Sequence, residues 1–315
     1  MIKPRIILIA GPTGVGKTAA SVFLAKKLDT DIISCDSMQI YKGMNIGTAK
    51  VTAQEAMGVR HYMTDIISPD DNFSVADYVE TATPLVYEIA SKGKPALMVG
   101  GTGLYADSLI KGLAFEKEAV ADIDYRNEMF EAAEIHGADY VHSILCKVDP
   151  ESGQNIHPNN IKRVIRALEY YHATGEKISA HNEQTKKTES PFDSLRLYFT
   201  RDREKLYKRI DERVDTMMEL GLKEEVEKLL SSGVKRNSTA MQALGYKEMA
   251  DAIDGLISLD EAIEIIKRDS RRYAKRQLTW FRRDKDGVWI NLDDISSPEE
   301  VSERCFEIIK ERNML

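Results

Sequence analysis

Gly11-Pro12-Thr13-Gly14-Val15-Gly16-Lys17-Thr18 lies between an apolar run, Ile6-Ile7-Leu8-Ile9-Ala10, and a helical pattern, Ala19-Ala20-Ser21-Val22-Phe23-Leu24-Ala25. Strand, glycine loop and helix in that order are the setting in which a G-x-x-x-x-G-K-[ST] stretch has physical meaning. Gly11, Gly14 and Gly16 can take backbone angles closed to other residues. Consecutive N–H groups can then point inward at an anion, with a helix N-terminus behind them. Lys17 adds a full positive charge, and the Thr18 hydroxyl is placed to ligate Mg²⁺. The stretch predicts a site for two or more linked phosphates. It leaves open which phosphate compound binds and whether the phosphate is the group transferred.

Outward from this loop, Arg5–Ala10, Thr18–Leu28 and Asp31–Ser34 read as strand, helix and strand. Alternation of this kind predicts an α/β fold with a parallel sheet. Ligands in such sheets bind beyond the carboxyl ends of the strands. Ile32-Ile33-Ser34-Cys35-Asp36 therefore delivers Asp36 to the edge that carries the glycine loop. The polar stretch Tyr41 to Lys50 has neither helical nor strand period and reads as a long functional loop rather than a core element. Residues 73–92 read as a helix capped by Ser74, with Pro84 a misfit that can kink it. The short strand Ala96-Leu97-Met98-Val99 runs into Gly100-Gly101-Thr102-Gly103, a second glycine turn facing the same crevice. On spacing alone that turn is equally a tight connection or a binding element.

Strand signals vanish from about 113 to 187, which reads as a helical insertion between a core at 1–112 and a remainder at 188–315. Within it Asn159 can cap a helix running to about Ala173, with Ile161, Val164, Ile165 and Leu168 as its apolar stripe. Lys162, Arg163 and Arg166 lie off that stripe, the usual position of a solvated face. A strand returns at Leu195–Thr200, and Asp202 can cap the next helix. Arg209 and Arg213 sit one turn apart beside its core face, either as an anion clamp or as surface ion pairs with Asp211, Glu212 or Asp215. Helices are expected from there to the end. Between 265 and 285 a stripe of Lys267, Arg268, Arg271, Arg272, Lys275 and Arg276, followed by Arg282, Arg283 and Lys285, meets only Asp269 and Asp284. It is either the footprint of a phosphate backbone or a salt-bridged outer helix.

Composition narrows the class. The 315 residues are 43% hydrophobic and 30% charged, as in an ordinary soluble globular chain. No apolar run approaches the ~20 residues of a membrane span, and a strand entered by residue 5 leaves no room for a signal peptide. Cys35, Cys146 and Cys305 fit no disulfide or zinc spacing, so a cytoplasmic setting is expected. A net charge of −7 argues against uniform nucleic-acid binding but allows a local basic surface.

Phosphate loop, Asp36, the Thr102 turn and a cationic helix bearing Arg213 serve two reaction classes. One is phosphoryl transfer, with Asp36 as base for an acceptor hydroxyl or partner for Mg²⁺. The other treats a bound diphosphate as leaving group, with Asp36 taking the proton of the incoming nucleophile. Most phosphate loops serve nucleotides, which favours the first class. Against it, the strand ending at Val99 carries no acidic residue at its end, and no Asn-Lys-x-Asp stretch for guanine is present.

Further motifs decide between them. Asp36-Ser37-Met38-Gln39-Ile40-Tyr41-Lys42-Gly43-Met44, Ile46-Gly47-Thr48-Ala49-Lys50 and Val99-Gly100-Gly101-Thr102-Gly103-Leu104-Tyr105 occur in that order. They are followed by Ile156-His157-Pro158-Asn159-Asn160, Arg163-Val164-Ile165-Arg166-Ala167-Leu168-Glu169, Ala243-Leu244-Gly245-Tyr246-Lys247-Glu248 and Tyr273-Ala274-Lys275-Arg276-Gln277-Leu278-Thr279-Trp280-Phe281-Arg282. Together, from residue 5 to about 290, the chain resembles the tRNA dimethylallyltransferases, in the bacterial form without an appended zinc finger. The resemblance implies a kinase-like P-loop core with a helical insertion and C-terminal helices. It implies a dimethylallyl diphosphate donor, Mg²⁺, and a tRNA acceptor recognised through its anticodon arm, modified at N6 of adenine 37. A monomer away from membranes is expected.

Residue by residue, the resemblance gives Asp36 as general base, with Thr102 and Arg213 as further catalytic residues. Gly11, Pro12, Thr13, Gly14, Val15, Gly16, Lys17 and Thr18 would hold the diphosphate, Thr18 also the metal. Asp36, Ser37, Met38, Gln39 and Thr102 would contact the target nucleotide. Arg126, Lys162, Arg163, Arg166, Gln242, Gly245, Tyr246 and Lys247 would contact the tRNA. Gln242 and Lys247 stand where some members carry arginine. Three other readings remain: a small-molecule kinase, a tRNA-binding protein without catalysis, and an adenylate prenyltransferase. The intact loop and Asp36 weigh against the second. The insertion and basic stripe weigh against the third, since a free nucleotide needs neither.

Overall fold

The apolar run becomes the central strand of a sheet. In the computed structural model, which describes residues 3–113, 122–187 and 189–315, β1 (Arg5–Ala10) buries Ile6 to Ala10 completely. A strand buried on both faces is what an unbroken aliphatic run encodes. The chain then forms α1 (Lys17–Lys27), β2 (Ile32–Ser34), a single turn α2 (Ala53–Ala56), β3 (His61–Tyr62), α3 (Val75–Ser91), β4 (Ala96–Gly100) and α4 (Gly103–Ile110). Five helices follow: α5 (Ile123–His136), α6 (Ala138–Val148), α7 (Pro150–Asn155), α8 (Ile161–Thr174) and α9 (Ile178–Lys187). After them come β5 (Asp193–Thr200), α10 (Arg203–Glu219), α11 (Leu222–Ser231), α12 (Tyr246–Ile253), α13 (Leu259–Phe281), β6 (Val288–Asn291) and α14 (Pro298–Glu311). The opening of the expected insertion, 114–121, and residue 188 lie outside the described residues.

The strands form one sheet in the order β3-β2-β4-β1-β5-β6, every pair parallel. The α/β class expected from strand–helix alternation is the observed one. Two edge strands escaped the sequence. β3 has two residues, and β6 follows the basic run where only helices were expected. Strands this short show no period of their own. β6 exists because Val288 to Asn291 pair with Leu197 to Thr200.

Meeting Met1–Gly112 with Ser190–Leu315 is one compact unit, and Leu113–Glu189 is another. In the first, one core packs α1 and α14 against the sheet through Val22, Leu24, Cys305 and Ile309. A second joins α10 to α13 with Ile40, Tyr41 and Met44. The stretch after Asp36 is therefore irregular, as expected, but not peripheral: these three side chains are at most 1% exposed. At ~1.5–3 kcal/mol for each large apolar side chain buried, they anchor the loop firmly. Pro84 falls inside α3 without ending it, and Ser74 with Asp77 forms the capping box at its start.

The second unit has its own core, from Met129, Val141, Leu145, Val164, Ile165 and Leu168. Its α8 starts one residue later than expected. Asn160 is the capping position, because the Asn160 N–H bonds the His157 carbonyl and holds Asn159 in a turn. No helix among the described residues is long and apolar enough to cross a membrane.

Candidate active site

Three strand ends and the helices α1, α10 and α13 build the site. Gly16, with φ at +112°, opens α1 without a side-chain cap, which leaves the first helical N–H groups for an anion. Lys17 folds back along the loop: its Nζ donates to the Gly11 and Pro12 carbonyls at 2.8 and 2.9 Å. The outer side of the loop is braced by arginines. Arg201 Nε donates to the Val15 carbonyl (3.0 Å) and Arg209 Nε to the Gly14 carbonyl (3.1 Å). Of the two expected clamp residues on α10, Arg209 lines the cavity and also braces the loop's backbone. Arg213, one turn on, lines the cavity, and among the described residues it makes no salt bridge or hydrogen bond.

Asp36 follows β2. Its Oδ1 accepts the N–H groups of Met38 (2.9 Å) and Gln39 (3.4 Å), an Asx-type turn that fixes the carboxylate. Oδ2 has no hydrogen-bond partner among the described residues. Thr102 stands behind this turn, its hydroxyl accepting from the Ser37 N–H at 3.0 Å. The glycines before Thr102 are there for close packing. A Cβ on Gly100 would lie 2.4 Å from the Cys35 carbonyl oxygen, and one on Gly101 would lie 2.2 Å from Gln277 Nε2. At Gly100 the obstacle is the Cys35 backbone itself, so a carboxylate cannot stand at that position without displacing it.

These groups meet in a cavity of about 1110 Å³ whose wall includes Lys17, Thr18, Asp36, Gln39, Arg213 and Tyr273. Burial, and next the Arg213 charge, bring the Lys17 ammonium down to about 8, against a smaller upward pull from Asp36. Burial likewise lowers Arg213, and Asp36 opposes it. Burial and the Asp36 charge push the Tyr273 hydroxyl up to about 12, so it stays a neutral donor. Among the described residues Lys17 and Arg213 have no acidic ion-pair partner, and both feel the charge of Asp36, an arrangement of charges that can hold an anion.

Sequence reasoning missed Gln277. Its Oε1 accepts the Thr13 N–H (2.8 Å) while its Nε2 donates to the Gly101 carbonyl (3.0 Å), clipping the phosphate loop to the β4 turn. That bond takes the Thr13 N–H, which is therefore not open to an anion. The signal was present in the periodicity: Ala262, Ile266, Ser270, Ala274, Gln277 and Phe281 form the buried face of α13, and polar groups on such a face need partners.

Residues 39–284 match the IPP transferase family. The chain belongs to that family. It is 47% identical over 297 residues to the tRNA dimethylallyltransferase of Acetivibrio thermocellus, covering 94% of this chain and 95% of that one. It is 48% identical over 299 residues to the Bacillus cereus tRNA dimethylallyltransferase, with 95% and 93% covered. Among solved structures, the full-length tRNA isopentenylpyrophosphate transferase of Bacillus halodurans is 44% identical, with a TM-score of 0.73 and 98% and 96% covered. A eukaryotic dimethylallyltransferase acting on tRNA is 29% identical and superposes with a TM-score of 0.85, covering 98% of this chain and 80% of that one. The resemblance read from the motifs is the family found.

The family's expected tRNA contacts fall in both units. Ser37, Met38 and Gln39 line the cavity with Gln242 and Gly245, and Lys247 is exposed at the start of α12. Tyr246 is fully buried, and its hydroxyl donates to Glu225 at 2.6 Å, so its side chain supports the wall from within. In the other unit Lys162 and Arg163 are exposed. Arg126 and Arg166 both grip Glu169, at 2.7 and 3.0 Å, and Glu169 is only 1% exposed. The basic stripe of α13 divides. Lys267 and Arg271 pair with Asp215 and Asp211 of α10, and Arg268 and Arg272 with Asp269. That half is the salt-bridged outer face. Arg276 instead lines the cavity.

Proposed function

We propose that the chain transfers the dimethylallyl group of dimethylallyl diphosphate to N6 of adenine 37 in tRNA, beside the anticodon, and releases diphosphate. The observation that carries this is the pairing of Lys17 and Arg213, both without an acidic ion-pair partner among the described residues, with the open Oδ2 of Asp36 in one cavity. A departing diphosphate needs cations where its charge grows. The exocyclic amine of adenine shares its lone pair with the ring and is a poor nucleophile until its proton is taken, which an open carboxylate oxygen can do. The N6–C1 bond forms as the C1–O bond breaks. The proton passes to Asp36, and the electron pair leaves with the diphosphate toward Lys17 and Arg213. The adenine must leave its stack to enter the cavity.

Magnesium fits the donors present. Mg²⁺ is held through one or two protein oxygens, water and substrate phosphates rather than an acidic cage. Thr18 is exposed in the first turn of α1, and no cluster of three His, Cys, Asp or Glu occurs among the described residues. Thr18 would hold the ion, which when bound adds charge stabilisation at the leaving diphosphate.

Labelled dimethylallyl diphosphate, Mg²⁺ and unmodified tRNA with the anticodon ending A36-A37 are expected to give labelled tRNA. No label on the tRNA, with brisk ATP turnover on a small acceptor instead, overturns the reading in favour of a small-molecule kinase.

A pH dependence follows from Lys17. Its ammonium sits at about 8 in the free protein, and a bound diphosphate raises it. The Lys17 share of binding therefore takes up about half a proton at pH 8, beside the protons the diphosphate itself exchanges. Through Lys17, affinity for inorganic diphosphate should weaken above pH 8, toward about tenfold per unit. Calorimetry in buffers of different ionisation enthalpy measures the uptake. Lys17→Met should abolish that share of it; equal uptake by both proteins rules Lys17 out as the contact.

A further inference from the structure

Glu225 lies on α11 and takes no part in the chemistry above, yet its carboxylate is the most heavily bonded acid near the cavity. Oε2 accepts the N–H groups of Asn45 and Ile46, each at 2.9 Å. Oε1 accepts those of Ile46 (3.1 Å) and Gly47 (3.2 Å) and the Tyr246 hydroxyl (2.6 Å). Three consecutive backbone donors turned onto one carboxylate make a nest, an anion-binding form of backbone. Here the anion is the protein's own. Gly47 is pressed so closely on the Tyr246 ring that a Cβ would lie 2.5 Å from it.

The segment held this way is cross-braced by its own hydrogen bonds. Lys50 Nζ ties its ends together through the Tyr41 carbonyl (2.9 Å) and Asn45 Oδ1 (3.1 Å). The Thr48 hydroxyl donates to the Met44 carbonyl (2.6 Å), and the Lys50 N–H bonds the Asn45 carbonyl (2.9 Å). Its inner side, Gly47, Thr48 and Ala49, is cavity wall. There the Gln39 amide donates from Nε2 to the Thr48 carbonyl at 3.2 Å and accepts the Ser34 hydroxyl at Oε1, also 3.2 Å. One end of the amide is thus fixed by the loop and the other by β2, so the amide's orientation depends on where the loop sits.

We propose that Glu225 is a positioning residue for the target nucleotide: by gathering the Asn45, Ile46 and Gly47 N–H groups it places the Thr48 carbonyl that orients the Gln39 amide in the cavity. The inference rests on the reading of the cavity as the site of adenine prenylation, with Gln39 at the incoming base. The chemistry at Glu225 is specific to a carboxylate. Both oxygens accept, so Glu225→Gln turns an NH₂ against a backbone N–H, whereas Glu225→Asp keeps the acceptors at shorter reach.

The test is single-turnover transfer to tRNA by the wild type, Glu225→Gln, Glu225→Asp, Gln39→Ala and the double variant Gln39→Ala/Glu225→Gln. Binding of inorganic diphosphate and of tRNA is measured on each. Misplacement by about an ångström costs up to ~10²-fold in rate, so Glu225→Gln is expected to transfer about 10- to 100-fold more slowly. Its diphosphate affinity should be unchanged and Glu225→Asp should be largely rescued. The double variant should be no slower than Gln39→Ala, because the two residues act in one chain. Tyr246→Phe, which removes a single donor, keeps the test open if Glu225→Gln does not fold; it should slow transfer in the same direction by a smaller factor. Additive losses in the double variant, a parallel loss of diphosphate affinity, or an unchanged rate overturns the inference. Absence of transfer by the wild type is a different result: it removes the reading of the cavity itself.

Discussion

Asp36→Asn should slow prenyl transfer by about 10²–10⁴-fold, the usual range for loss of a general base, with tRNA affinity nearly unchanged. The asparagine keeps an Oδ1 to accept the Met38 and Gln39 N–H groups, and asparagine is as suited to such a turn as aspartate. The turn and the wall it carries should therefore survive. What is lost is the oxygen with no protein partner, and with it the proton acceptor. A second readout follows from the charges. Asp36 raises both Lys17 and Arg213, so its neutralisation should move the alkaline limb of diphosphate binding below pH 8. A variant that loses tRNA affinity as steeply as rate would show that Asp36 places the base rather than deprotonating it.

Arg213→Met should lower kcat/KM for dimethylallyl diphosphate by about 10²–10³-fold, or ~2.7–4 kcal/mol, the scale of a lost charge-stabilising donor. Two further measurements separate this from a packing defect. Arg213 is the second cause, after burial, of the depressed Lys17 ammonium. Removing it should shift the alkaline limb upward, opposite to the shift in Asp36→Asn. Its charge is also unpaired among the described residues and adjacent to another cation. The unliganded variant should accordingly melt no lower than the wild type, as expected where stability has been given up for function. A lowered Tm with an unshifted limb would assign Arg213 to the core instead.

How much was readable varies from residue to residue. Gly11 to Thr18, Asp36 and the turn at Thr102 were legible because each sits next to an apolar strand whose polarity fixes the edge it reaches. Arg209 and Arg213 were not separable. Both lie beside the same helical stripe and both line the cavity, and only the approach of the Gly14 carbonyl to Arg209 sets that residue apart as a brace. The α13 stripe was ambiguous for the same reason: Lys267 and Arg271 pair with Asp215 and Asp211 from another helix, while Arg276 makes no salt bridge among the described residues. Asn159 was one position off as a cap, since Asn159 and Asn160 are equally good caps by residue type.

The amino-acid order alone determined the glycine loop between β1 and α1, the parallel sheet and the placing of a carboxylate at the same edge. Each is encoded in contiguous residues, through apolar periodicity and glycine spacing. Tertiary structure alone decided which cations stay unpaired, that Gln277 clips Thr13 across 264 residues of chain, and that Glu225 holds the loop beside Gln39. Hydrogen bonds and ion pairs depend on which distant groups the fold brings within about 3 Å, and local sequence carries no record of that distance.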